Sequence, residues 1–290
     1  MPAVQSIRAI RRKIRAVGNI KKITRAMQMV SASKLKKVQE RLMELRPYSD
    51  QIVEFLQDLA GQVRDLRYPL FVPRDEVKSI GLVVMRSDKG LCGSYNSNMA
   101  RYTQRFMAER GKPVRAVAIG RRAAEFFRKQ GIEPEASYVQ LPTQIPFVQI
   151  KAMARGLVEM FESRRVDEVC LLFTRYVNAL TFRPGHVKFL PIEPESARKK
   201  GAATLEYDFE PEPGKILDRL IPRYIEVSFH RLLLESMSSE HAARMNAMRN
   251  ATDNATDLID NLTLVYNKAR QSGITKELLD IVGGAEALKG

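Results

Sequence analysis

The residues best suited to chemistry lie in one short turn, SDKGLCGSYN (87–96), which follows a strand-like run and contains Cys92. The turn matches neither G-x-x-x-x-G-K-[ST] nor G-x-G-x-x-G, the two spacings whose backbone cradles phosphates. A nucleophilic cysteine also needs a neighbouring base, and no histidine of the chain lies in a recognisable pairing motif; the three are His186, His230 and His241. The spacing therefore favours a tight strand-to-helix turn in which glycines permit positive φ.

Metal and glycosylation sites have no better support. Three histidines and two cysteines without clustered spacing do not predict zinc, and Cys92 and Cys170 fit free thiols in a reducing compartment. Three N-x-T sequons begin at Asn250, Asn254 and Asn261, but glycosylation needs a secretory route and the N-terminal run lacks an apolar signal core. No apolar run reaches the ~18–20 residues needed to cross a bilayer. The residues predict no catalytic site, metal or cofactor.

The charge distribution predicts an acidic partner. The formal net charge is +15, and residues 1–37 contain eleven Lys or Arg and no Asp or Glu. A field this concentrated suits phosphate, an anionic membrane or an acidic protein surface. Nucleic-acid binding is one interpretation, although no aromatic residue precedes Tyr48 and no helix-turn-helix spacing is present. A solvated basic face without a partner is the other.

Residues 1 to about 60 follow a helical period in three successive stripes. Two changes of phase between the stripes predict stutters in a coiled coil. Pro47 is expected to kink the helix rather than end it, because the apolar period continues beyond it. The stripes are Ile7, Ile10, Ile14 and Val17; then Ile20, Ile23, Met27 and Val30; then Leu35, Val38, Leu42, Leu45, Ser49, Ile52, Leu56 and Leu59.

The central part of the chain changes to strand-like runs separated by helical stretches. This alternation predicts a parallel, doubly wound, Rossmann-like α/β sheet. The turn RPGH (183–186) predicts that the last strand is an antiparallel edge, and ESARKKGAA (195–203) an exposed loop. The predicted strands are 78–85, 114–120, 168–177 and 186–192, and the predicted helices are 97–110, 121–130 and 147–164.

After Pro222 the chain contains no proline, and only Gly273 interrupts a helical pattern from Arg223 to about Ile281. Its heptad stripe predicts an antiparallel coiled coil with the N-terminal helix, projecting from the α/β domain as a shaft. Alanine and threonine in the stripe indicate either close helix approach or stabilisation by a surrounding partner. We predict an N-terminal helix in 1–60, an α/β domain in 76–205 and a C-terminal helix in 210–290. The stripe is Met245, Met248, Thr252, Ala255, Ile259, Leu262, Tyr266 and Ala269.

Three blocks of the chain resemble the gamma subunit of F-type ATP synthases. They are IRAIRRKIRAVGNIKKITRAMQMVSASKLKKVQ (7–39), SDKGLCGSYN (87–96) and the run from AARMNAMRNATDNATDLIDNLTLVYNKAR to GGAEAL (242–288). The resemblance implies a rotor stalk within a ring of alpha and beta subunits, and an α/β domain that meets epsilon and the membrane rotor ring. Such a subunit couples proton-driven rotation to ATP synthesis or hydrolysis at the beta-subunit sites and has no active site or cofactor of its own.

The resemblance also implies partner contacts at particular positions. Contacts with the alpha and beta ring are expected at Met27, Arg244, Arg270, Gln271 and Thr275, and contacts with the rotor ring or epsilon at Tyr207 and Phe209. The segment ITKELLDIVGGAEAL is expected to turn inside an apolar sleeve. The regulatory cysteine pair of plant plastid members has no counterpart, so thiol switching is not expected. We expect a peripheral position on the cytoplasmic face of a bacterial membrane, without nucleic acid.

Three alternatives stay open on the residues alone. A coiled-coil protein that binds nucleic acid predicts salt-dependent binding to duplex DNA. An α/β enzyme with helical arms predicts a small ligand in the central domain, and a structural filament predicts self-association through the long helices.

Overall fold

The computed structural model describes residues 7–62, 68–193 and 213–287. The chain separates into two compact units: an α/β unit, Ser31–Arg244, and a helix-pair unit, Met1–Val30 with Met245–Gly290. Two long helices contribute to both units. In chain order the elements are α1 Ile7–Gln62, β1 Ile80–Met85, α2 Tyr95–Arg110, β2 Val114–Ile119, α3 Arg121–Lys129, β3 Ala136–Tyr138, α4 Phe147–Glu162, β4 Glu168–Tyr176, β5 Phe182–Leu190 and α5 Pro213–Ala287.

The sheet of the α/β unit has the order β3-β2-β1-β4-β5. Its first four strands are parallel and β5 runs antiparallel to β4, so the predicted doubly wound sheet with an antiparallel edge is confirmed. The predicted position of the turn was wrong. RPGH (183–186) lies inside β5, and the chain reverses earlier, where the Val177 N–H donates to the Thr181 carbonyl at 3.1 Å. An edge strand tolerates Pro184 because one side of its backbone needs no ladder partner.

Alternate residues of the central strands face opposite helix layers. Val83 and Met85 of β1 pack in the cluster that contains α4 and α5, whereas Leu82 and Val84 pack in the cluster that contains α2 and α3. This period of two follows from the pleat, and burial on both faces explains why the strands read as continuous apolar runs. The largest side chains that are fully buried include Phe127, Phe161, Phe173 and Phe229.

Both long helices contain a proline and continue through it. Pro47 lies inside α1, as predicted, and α5 begins at Pro213 rather than after Pro222. A proline in a helix interior removes one backbone hydrogen bond. Around Pro222, burial of apolar side chains compensates for that loss, since Leu217, Ile221 and Ile225 are each at most 4% exposed.

The helix-pair unit is an antiparallel coiled coil. Thr24 and Thr252 share a hydrogen bond of 2.7 Å between their hydroxyls, and a Cβ placed on Gly273 would lie 3.7 Å from Ile7 Cδ1. Every residue of the predicted α5 stripe is buried or half-buried. The buried residues among those described in this unit are few and mostly small: Ile10, Thr24, Met248, Thr252 and Ala255.

The predicted changes of phase in α1 were wrong. Its inward positions keep one 3-4 spacing, which the residues in the seam follow even where they are polar, as at Lys21 and Thr24. Thr24 tolerates burial because its hydroxyl also reaches the Lys21 carbonyl at 3.1 Å, and a lysine stem can lie along an apolar surface. As far as Val38 the inward positions are Ile7, Ile10, Ile14, Val17, Lys21, Thr24, Gln28, Ser31, Leu35 and Val38.

Candidate functional site

The second apolar stripe of α1 lies beside the seam and not in it. We call Ile20, Ile23, Met27 and Val30 the outer stripe. Ile20, Ile23 and Val30 are 52%, 59% and 57% exposed, and Met27 is half-buried. Their 3-4-3 spacing places them along one side of the helix. Large apolar side chains in a row outside the core mark a surface that a partner covers.

Basic side chains flank the outer stripe. The first turn of α1 contains no acidic residue. The arginines and lysines near the stripe are exposed. Acidic groups facing this side of α1 would meet a field of one sign, which favours their approach and orients them. Between residues 8 and 25 the exposed basic residues are Arg8, Arg11, Arg12, Lys13, Arg15, Lys22 and Arg25.

The C-terminal part of α5 carries the three polar residues predicted to form a catch. Arg270, Gln271 and Thr275 are all exposed. Gln271 and Thr275 are one turn apart on one side, and the Thr275 hydroxyl donates to the Gln271 carbonyl at 3.0 Å. Arg270 points about 100° away from Gln271 around the helix axis. The structure therefore brings two of the three together, and the third extends from a neighbouring side.

Apolar side chains follow these polar residues and are also exposed. Between residue 274 and residue 282 the large hydrophobic side chains are 51–67% exposed: Ile274, Leu278, Leu279, Ile281 and Val282. This end of α5 has apolar groups on several sides of the helix. It can be surrounded by an apolar partner without forming many directional bonds.

Arg244 differs from the other predicted contact residues, because its guanidinium forms hydrogen bonds within the α/β unit. Its Nη1 donates to Glu240 Oε1 at 2.8 Å, and its Nη2 and Nε donate to the carbonyls of Lys89 and Gly90 at 3.2 and 3.4 Å. Only 12% of the side chain is exposed. Arg244 thus joins α5 to the turn 87–96.

The turn 87–96 is a compact hydrogen-bonded structure, and the prediction of a tight strand-to-helix turn is confirmed. The Asn96 amide donates to the Ser87 hydroxyl at 2.6 Å, and the Ser87 N–H donates to Asn96 Oδ1 at 3.2 Å. Gly93 and Leu91 adopt positive φ of 57° and 59°. Leucine in this region is strained, and Leu91 is also 63% exposed.

Asp88 fixes the turn to two other loops. Its Oδ1 accepts the Arg121 N–H at 2.9 Å, and its Oδ2 accepts the Gln140 N–H at 2.8 Å. Arg121 follows β2 and Gln140 follows β3, so one carboxylate ties together the chain segments after three parallel strands. The turn also contacts α5 through Tyr95, whose hydroxyl lies 3.0 Å from the Ser236 hydroxyl.

The histidines do not assemble a catalytic base with Cys92. His186 shares a hydrogen bond of 2.7 Å with the Tyr102 hydroxyl, and Cys92 is buried among Ser87 and Asn96. His241 is buried, and neither ring nitrogen has a hydrogen-bond partner among the described residues. Burial, and then the nearby charges of Arg244 and Lys34, lower the pKa of His241 to about 4.

Within the part of the chain that the structure describes, no group of His, Cys, Asp and Glu could hold a metal ion. In the same residues no helix is long and apolar enough to cross a membrane. Tyr207 and Phe209, predicted to contact the rotor ring or epsilon, and the segment 195–203 lie outside the described residues. The contact residues predicted for the ring likewise stay predictions.

Sequence reasoning missed the polar side of α5 that faces the turn. Ser236, Glu240 and Arg244 recur every four residues in the stretch LLLESMSSEHAARM (232–245) of the helix. This i, i+4, i+8 spacing was an available signal, because such residues share one face. Their partners in the turn, however, are distant in sequence and mostly backbone carbonyls.

Comparison with known proteins decides the family. A family model described as ATP synthase matches residues 6–288. The ATP synthase gamma chain of Desulfitobacterium hafniense is 44% identical over 284 residues, which cover 98% of this chain and 99% of the relative. That of Symbiobacterium thermophilum is 42% identical over 285 residues and 98% of each chain.

The chain belongs to the ATP synthase gamma chain family.

Solved structures agree with this membership. A chain from the central stalk/c-ring structure of the Tetrahymena thermophila mitochondrial ATP synthase is 26% identical, with a TM-score of 0.59 over 79% of this chain and 99% of that chain. A chain from the OSCP/F1/c-ring structure of the Euglena gracilis mitochondrial ATP synthase has a TM-score of 0.66 over 97% and 94% of the two chains. At 20% identity the Euglena likeness shows the shared fold. The gamma family fold thus joins a doubly wound sheet to an antiparallel helix pair.

Proposed function

We propose that this gamma-family chain is the central-stalk rotor subunit of a proton-translocating ATP synthase. It couples rotation of the membrane rotor ring to ATP synthesis or hydrolysis at the beta-subunit sites, and it has no active site of its own. The relatives that it matches over 98% of its length are ATP synthase gamma chains. Its position is peripheral, on the cytoplasmic face of a bacterial membrane.

The observation that carries the proposal is the outer surface of the helix-pair unit. Polar residues occupy part of the seam, whereas isoleucine, valine and leucine side chains are exposed outside it. A helix pair that works alone gains stability by placing such residues inside. The arrangement suits a shaft that is enclosed by a ring of alpha and beta subunits over part of its length.

The contact residues follow from this surface. Met27 lies in the outer stripe and can pack against an apolar ring surface, while the basic side chains around it meet acidic groups of the beta subunits. Arg270, Gln271 and Thr275 are exposed polar residues near the end of α5 and are proposed as the polar catch. Epsilon and the membrane rotor ring are the proposed partners of the α/β unit, with Tyr207 and Phe209 among the contacts.

The test compares two double variants in a host whose own copy of the chain has been replaced. Ile20→Ser with Ile23→Ser removes the first two side chains of the outer stripe. Val148→Ser with Val72→Ser, at positions 79% and 45% exposed in the α/β unit, is the matched control. Each burial of a large aliphatic side chain is worth about 1.5–3 kcal/mol. We therefore expect the outer-stripe variant to lose roughly tenfold or more of its ATP synthesis in membrane vesicles, and the control to keep most of it.

The same preparations identify the partners. An affinity tag between residues 195 and 203 leaves both termini unchanged, and gentle solubilisation should recover two nucleotide-binding ring subunits, epsilon and a small membrane subunit. Recovery of nucleic acid alone, or of a homo-oligomer without these subunits, would contradict the proposed function. Equal ATP synthesis in both double variants would contradict the assignment of the outer stripe.

A further inference from the structure

One face of α5 holds the turn 87–96 at two positions. Arg244 reaches the carbonyls of Lys89 and Gly90, and Ser236, about two helical turns earlier, contacts the Tyr95 hydroxyl at 3.0 Å. Between them on the same face lies Glu240, which accepts from Arg244 at 2.8 Å. The contacts extend from one end of the turn to the other.

The Arg244–Glu240 pair is enclosed by protein. Their side chains are 12% and 18% exposed. Burial raises the pKa of Glu240, while Arg244 opposes that effect by stabilising the carboxylate. Removing one member of a buried ion pair leaves an uncompensated charge, which costs far more than loss of an exposed pair. The pair joins two residues of α5, and by holding the guanidinium in place it orients the other nitrogens of Arg244 towards the Lys89 and Gly90 carbonyls of the turn.

Carbonyl acceptors make this attachment specific for arginine. Two nitrogens of one planar guanidinium reach two successive carbonyls, and a third nitrogen reaches the carboxylate. A lysine has a single ammonium group and cannot span the same acceptors in one position. Asp88 fixes the turn to the segments that follow β2 and β3, and the bonds between Ser87 and Asn96 brace the turn internally. A force on the sheet is thus transmitted to α5 at Arg244.

Arg244 is also the last residue of the α/β unit, and the helix-pair unit resumes at Met245. We propose that Arg244 is a positioning residue for rotary coupling: it fixes α5 to the turn after β1 at the point where this helix leaves the α/β unit. Without it, torque applied to the α/β unit is partly lost as movement of the turn against α5. This inference rests on the proposed function for its role, and on the contacts above for its geometry.

The test uses the assembled complex, with Arg244→Gln as the main variant and Arg244→Lys as the conservative one. Arg231→Gln is the matched control, because Arg231 is also on α5 and also bonds another element: its Nη1 lies 3.6 Å from Asp50 Oδ1 and 3.4 Å from the Ser49 hydroxyl. The control removes an arginine that does not touch the turn. Hydrogen exchange of the backbone amides in the turn and the ratio of protons pumped to ATP hydrolysed are measured on each complex.

Loss of the charged donors should speed exchange at the amides of Ser87, Tyr95 and Arg121 by roughly ten- to hundredfold, since hydrogen bonds to charged groups contribute about 1.5–3 kcal/mol. In Arg244→Gln the pumping ratio should fall several-fold. Arg244→Lys should give intermediate values, and Arg231→Gln should leave both readouts near the original. If Arg244→Gln fails to assemble, Arg244→Lys is compared with the control in the same two measurements.

Two results would overturn the proposal. Unchanged exchange in the turn, with fewer ring subunits recovered, would mean that Arg244 contacts the ring directly. Faster exchange with an unchanged pumping ratio would mean that Arg244 only stabilises the fold. Failure of the proposed function would give a different result. The unmodified chain would then recover no ring subunits, whereas amide exchange in the turn would still respond to the loss of Arg244.

Discussion

The two units of this chain differ in where they place their large apolar side chains. In the α/β unit, phenylalanines and aliphatic side chains fill both faces of the sheet, and several are fully buried. In the helix-pair unit, the described buried residues include two threonines and an alanine, and Ile20 and Ile23 lie exposed outside the seam. The difference shows that apolar residues in the helix pair serve an outer surface as much as a core. The α/β unit has a large buried core of its own, whereas few of the described residues of the helix-pair unit are buried.

The largest expected effect tests whether the α/β unit is stabilised by its own core. Phe127→Ala removes a fully buried side chain and should lower the free energy of unfolding by about 3–5 kcal/mol. Ile10→Ala, in the helix-pair seam, should cost nearer 2 kcal/mol, because a narrow two-helix seam can close around a small cavity. Denaturant unfolding of the purified chains measures both, with Phe147→Ala, at a 40% exposed side chain, as the control. Equal losses for Phe127 and Ile10 would remove the contrast between the units.

The second prediction concerns pH and the α/β unit. The pKa of His241 is about 4 in the folded chain and 6.5 ordinarily. Between these values the unfolded chain binds a proton that the folded chain does not, so stability falls as pH drops from 6.5 towards 4. The loss should reach about 3 kcal/mol near pH 4.

His241→Leu should flatten this dependence in unfolding measurements from pH 7.5 to pH 4.5. The raised pKa of Glu240 has the opposite effect, because it makes the folded chain more stable as pH falls. Both the variant and the unmodified chain contain Glu240, so its contribution cancels when the two are compared. His186→Leu, at the exposed histidine bonded to Tyr102, is the control and should retain the slope. An identical slope in all three chains would show that His241 titrates normally in the folded state.

The parts of the fold that could be predicted are those whose sequence pattern is local, within one strand or helix. Strand and helix runs in the α/β unit were predictable, because burial on both faces gives continuous apolar runs and glycines mark helix ends. The short strand β3 was missed, since three half-buried or exposed residues have no periodic signal. The phase of α1 was misjudged because apolar residues were assumed to face inward. Thr24 and Thr252, 228 positions apart, satisfy each other there instead.

The attachment around Arg244 was beyond sequence reasoning for a different reason. Its acceptors on the turn are backbone carbonyls of Lys89 and Gly90, and a carbonyl has no residue type to recognise. The resemblance placed Arg244 among the ring contacts. The structure gives it three bonds within the chain, and exchange in the turn will decide between these roles.

The smallest expected effect sharpens the account of the helix-pair seam. Thr24 and Thr252 share one hydrogen bond, and each hydroxyl also lies near a carbonyl of its own helix, Lys21 at 3.1 Å and Met248 at 2.8 Å. Replacing both with valine keeps the shape and removes both polar groups, so the double variant should differ by less than about 1 kcal/mol. Each single variant should be slightly worse than the double. A double-mutant cycle by denaturant unfolding measures the coupling, and a large loss in the double variant would contradict this account.

Asp88 has a consequence for the order in which the chain folds. Its two carboxylate oxygens accept N–H groups from segments that follow β2 and β3, 33 and 52 residues along the chain. Both bonds require three strands to be side by side already, so we expect them to form after the barrier to folding has been crossed. Asp88→Asn should therefore speed unfolding in stopped-flow measurements while refolding keeps its rate. On this account the Asp88 carboxylate stabilises a sheet that has already formed. Slower refolding of Asp88→Asn would instead place Asp88 in the folding nucleus.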